Sequence, residues 1–150
     1  MSADRYQQLT TTPPGRFLQS RLGLPEATPL RRYEPGEPLL DGTAVVLGSG
    51  RLAKPAAGAI AAAGVDMKTD LPSGDGRVGA VVLDATAITS VAGLRELYDE
   101  LNPAIVRLAS CGRLVVLGTP PEQAASRSER IAQRALEGFV RSAAKELRKG

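Results

Sequence analysis

The residues of this chain with the type and spacing to do chemistry follow short apolar runs. Gly48-Ser49-Gly50 comes directly after Thr43-Ala44-Val45-Val46-Leu47, where a strand hands over to a helix in dinucleotide-binding folds. Glycines at that point permit a tight turn, and the helix N-terminus behind them attracts a pyrophosphate. The fingerprint Gly-x-Gly-x-x-Gly is incomplete, because its third position is Ala53, and Lys54-Pro55 follow. A plain strand-to-helix turn accounts for the same residues. In such sites a carboxylate that holds the ribose ends the second strand, about 20 residues further on. Asp66 and Asp70 lie in that range. Asp84 closes another apolar run, Ala80-Val81-Val82-Leu83.

Other chemistries are closed off by composition. The 150 residues include no histidine, so the usual imidazole bases and metal ligands are absent and Ser110 has no partner for a hydrolase triad. The single cysteine, Cys111, excludes an internal disulfide and a cysteine-based zinc site. A formal net charge of +3 with few aromatics is too weak a signal for nucleic acid. No stretch is apolar enough to span a bilayer and no signal-peptide core opens the chain. The default expectation is cytoplasmic.

These residues need elements to position them. Residues 1–41 hold six of the eleven prolines and read as an extended arm or linker, with a short helix over 15–24 that places Phe17, Leu18 and Leu22 together. From Gly42 onward the runs alternate. Residues 43–47, 80–83 and 114–117 are strands buried on both faces, and 65–68 is a shorter one. Ala53–Ala63 is a helix ended by Gly64. A second starts at Thr89 or Ser90 and runs to about Ala109, with Pro103 expected to kink or divide it. The third carries Ile131, Ala135, Leu136, Phe139, Ala143 and Leu147 on one face and Arg127, Arg130, Arg134, Arg141, Lys145 and Arg148 on the other. Its start lies at Thr119-Pro120-Pro121-Glu122 or at Ser126-Arg127-Ser128-Glu129, both of capping-box type. Helices between buried strands predict an α/β domain over 42–150, a three-layer, doubly wound parallel sheet of about four strands with a proline-rich N-terminal arm.

Several longer stretches carry a resemblance. They are Leu30-Arg31-Arg32-Tyr33 with Gly36-Glu37-Pro38, Asp84-Ala85-Thr86-Ala87-Ile88-Thr89, Cys111-Gly112-Arg113 through Gly118-Thr119-Pro120-Pro121-Glu122, Glu129 through Phe139, and Lys145-Glu146-Leu147. Through them the chain resembles the short-chain dehydrogenase/reductase family. It is especially similar to the amino-terminal region of the high-molecular-weight 3-oxoacyl-(acyl-carrier-protein) reductases of actinobacteria. The resemblance covers nearly the whole chain and implies a flavodoxin-like part without catalytic residues, joined in the parent to a working NADPH- or NADH-dependent ketoreductase domain.

The departures from the family pattern are specific. The catalytic Tyr-x-x-x-Lys falls on Arg130-x-x-x-Arg134, and an arginine that stays protonated cannot replace a tyrosine proton donor. The catalytic serine falls on Thr119, and the Asn-Asn-Ala-Gly segment on Asp84 to Ala87. Gly48, Ser49, Gly50, Asp66 and Asp84 are then a vestigial cofactor site, and no cofactor or metal is expected. The expectation is a noncatalytic structural or interaction domain of a 3-oxoacyl-(acyl-carrier-protein) reductase in fatty-acid metabolism. The alternative is an active NAD(P)H-dependent ketoreductase. A flavin-binding flavodoxin would need several hydroxyl residues after the first strand, where only Ser49 stands. Expected partners are the parent's ketoreductase domain, an acidic acyl carrier protein drawn to Arg130, Arg134 and Arg141, and a second copy of the chain. Nucleic acid and membrane are not expected. The strand at 113–117 ends the sheet, and its open edge is a liability unless another strand covers it.

Overall fold

Successive strand residues point to opposite faces of a sheet. Here both sets are buried: Val45, Val81 and Leu83 on one face, Ala44, Val46, Ala80 and Val82 on the other. A sheet with two dry faces needs cover on both. The computed structural model, which describes residues 12–23, 33–74 and 76–147, supplies it with helices. The chain divides into two units, 1–34 and 35–150. In the first, helix α1 spans Pro13–Leu22, close to expectation, with Phe17, Leu18 and Leu22 all exposed. Leu24, Pro25, Pro29 and the Leu30-Arg31-Arg32 stretch lie outside the described residues, as does Arg148.

The second unit runs β1 (Ala44–Leu47), α2 (Ala53–Ala62), β2 (Met67–Lys68), β3 (Val78–Asp84), α3 (Leu94–Ile105), β4 (Leu108–Leu117), a 3-10 turn (Pro121–Gln123) and α4 (Arg127–Glu146). The sheet order is β2-β1-β3-β4 and every pairing is parallel. This is the four-stranded, helix-flanked α/β architecture of Rossmann and flavodoxin-like folds. α2 lies against β1, β2 and β3. Leu97 and Leu101 of α3 join Ala132 and Leu136 of α4 in one aliphatic cluster on Val45, Val81 and Leu83.

Three boundaries differ from expectation, each for a local reason. α3 starts at Leu94, not at Thr89 or Ser90, because residues 90–93 form a turn in which Ser90 Oγ accepts from Gly93 N at 3.2 Å. It ends at Ile105 because Leu108 is drawn into the sheet beside Val78, with the Arg77 guanidinium donating to the carbonyls of Val106 and Leu108. Pro103 therefore sits in the last turn of one helix and does not divide it. β4 is longer than predicted and carries a bulge. Ala80 pairs with Arg113 although Val78 pairs with Leu108, and Cys111 holds a positive φ of 60°. Regular pairing covers only Arg113–Leu117.

Of the two predicted starts, the second begins α4. Ser126 Oγ accepts from Glu129 N at 3.1 Å, and Glu129 Oε2 accepts from Ala125 N at 2.8 Å. These reciprocal bonds are the capping-box arrangement, shifted by one donor. The buried arc of α4 is also rotated from the predicted one. Glu129, Ala132, Gln133, Leu136 and Ala143 are buried, whereas Ile131, expected inside, is 50% exposed. Phe139 and Leu147 pack at the cluster's edge as expected.

Candidate functional site

In an open parallel sheet, ligands bind beyond the carboxyl ends of the strands where the strand order reverses. With β1 between β2 and β3, that crevice lies between the ends of β1 and β3. Gly48-Ser49-Gly50 follows β1, and Asp84 is the last residue of β3. Of the residues predicted for a nucleotide site, Gly48, Ser49, Gly50 and Asp84 are thus brought together. Asp66 precedes β2 and its carbonyl accepts from Ala44 N, the first residue of β1, so it lies at the opposite end of the sheet. Asp70 follows β2, and its exposed carboxylate accepts from Thr69 Oγ1 at 3.1 Å.

The crevice is filled by the protein's own carboxylate. Asp84 is only 3% exposed. Its Oδ2 accepts from the amides of Leu52 and Ala53, both at 2.6 Å. Its Oδ1 accepts from Thr86 N at 3.0 Å and Thr86 Oγ1 at 2.7 Å. Leu52 is the N-cap of α2, has no side-chain cap of its own, and the first turn holds no acid. The amides left open at any helix start are closed here from a different strand. Pro55, awkward for a helix start in the sequence, is harmless in the first turn because it has no N–H to satisfy. The glycines serve the same arrangement. Gly48 has φ +85°, and a Cβ there would collide with the Asp84 main chain; a Cβ at Gly50 would collide with Thr86 Oγ1 and the Asp84 carboxylate. The remaining cavity, lined by Gly48, Ser49, Asp84, Ala87 and neighbours, measures about 20 Å³, room for about one water.

Burial raises the Asp84 pKa, but the four hydrogen bonds, led by that from the Thr86 hydroxyl, outweigh it and hold the group below its ordinary 3.8. The side chain is therefore a fixed anion at neutral pH. Thr86 Oγ1 also accepts from Arg51 N at 2.9 Å, and the Arg51 guanidinium donates to Thr119 Oγ1 at 2.9 Å. The hydroxyl at the degenerate serine position is thus tied to a cation that spans from the end of β1 to the end of β4.

Gln133, not singled out by pattern, joins the pieces. Its Oε1 accepts from Thr119 N at 2.7 Å, and its Nε2 donates to the carbonyls of Ala85 and Ile88 at 2.9 and 2.8 Å. Among the described residues no buried side-chain nitrogen or oxygen lacks a partner. A glutamine within the apolar arc of a helix and a threonine two residues after Asp84 were the available signals for this network.

Arg130 and Arg134 are exposed on α4. With Pro121, Glu122, Ile131 and Ala135 they line a groove of about 780 Å³, and neither has a carboxylate partner among the described residues. Arg141 does: it pairs with Glu137 at 2.6 Å. No group of three or more potential metal ligands occurs among the described residues, and none of their helices is long and apolar enough to cross a membrane. No protein-family model matches the chain, and no curated protein matches its sequence.

Proposed function

We propose that this chain is a noncatalytic structural and interaction domain, of the kind its resemblance implies for a 3-oxoacyl-(acyl-carrier-protein) reductase of the short-chain dehydrogenase/reductase family in fatty-acid metabolism. The observation that carries this reading is the Asp84 carboxylate on the amides of Leu52 and Ala53. A pyrophosphate would need those same amides, and would meet a buried like charge there. The bond from Arg51 to Thr119 supports it further, since it engages the one hydroxyl left at the position of the family's catalytic serine. Arg130 and Arg134 stand where the family's tyrosine and lysine fall, and neither guanidinium donates a proton at neutral pH. On this reading the exposed Arg130, Ile131 and Arg134 face a partner, the parent's ketoreductase domain or an acidic acyl carrier protein, in the cytoplasm.

The test is titration of the chain with NADPH and with NADH, followed by nicotinamide fluorescence. Neither is expected to saturate. Saturable binding, or turnover of a β-ketoacyl thioester by material free of contaminating enzyme, would establish the active-reductase reading instead.

A further inference from the structure

We draw no further inference here: the strongest candidate, the groove of about 780 Å³ on α4 at Arg130, Ile131 and Arg134, belongs to the partner-facing surface already described, and nothing in the structure shows what covers it.

Discussion

Asp84→Asn is the sharpest test of the plugged crevice. The carboxylate accepts from four donors: the amides of Leu52, Ala53 and Thr86 and the Thr86 hydroxyl. An asparagine at this position has one acceptor oxygen. Turned toward Leu52 and Ala53, its NH2 group can donate to Thr86 Oγ1 but faces Thr86 N–H, which loses its partner. The two remaining main-chain bonds lose their charge assistance. One orphaned buried donor together with two weakened bonds costs about 2–4 kcal/mol, or about 10 °C in Tm for a chain of this size. The assay is urea denaturation followed by circular dichroism, with the exposed Asp70→Asn as control. The pH dependence follows from linkage. Because the folded pKa lies below 3.8, the wild-type stabilisation is fully present above that value and is lost as pH falls through the folded pKa. Asparagine does not titrate, so the gap between the two proteins should be constant from pH 7 to pH 5 and close in stronger acid. A difference under about 0.5 kcal/mol at pH 7, within the ordinary range of surface substitutions, or a gap that widens in acid, would refute the reasoning.

Two further outcomes follow from the same network. Gln133→Leu strands Thr119 N and the carbonyls of Ala85 and Ile88, and should lower stability by about 2–4 kcal/mol, read from the urea midpoint; a loss under about 1 kcal/mol would mean that water replaces the side chain. Gly50→Ala drives a methyl group into Thr86 Oγ1 and the Asp84 carboxylate and should cost about 2 kcal/mol, whereas Gly58→Ala, with open space around it, should be neutral or stabilising in the same melt.

Periodicity alone determined the class of this fold. Short valine-rich runs bounded by glycine, alternating with longer helical patterns, leave little besides a parallel sheet covered on both faces, because local hydrophobic spacing reports directly on which faces must be dry. The Ser126–Glu129 start of α4 was legible for a similar reason, since a capping box is made within a few residues. The gathering of Gly48-Ser49-Gly50 with Asp84 was legible as far as strand ends go. Its meaning was not. Whether Asp84 waits for a ligand or closes the helix itself depends on contacts across 31 and 32 residues of chain, and no local pattern encodes them. The misplaced Asp66, the exposed Ile131 and the buried Gln133 have the same origin. A helical wheel identifies an apolar arc but not its rotation. In α4 that rotation is set by three main-chain groups of other elements, which only a buried glutamine satisfies.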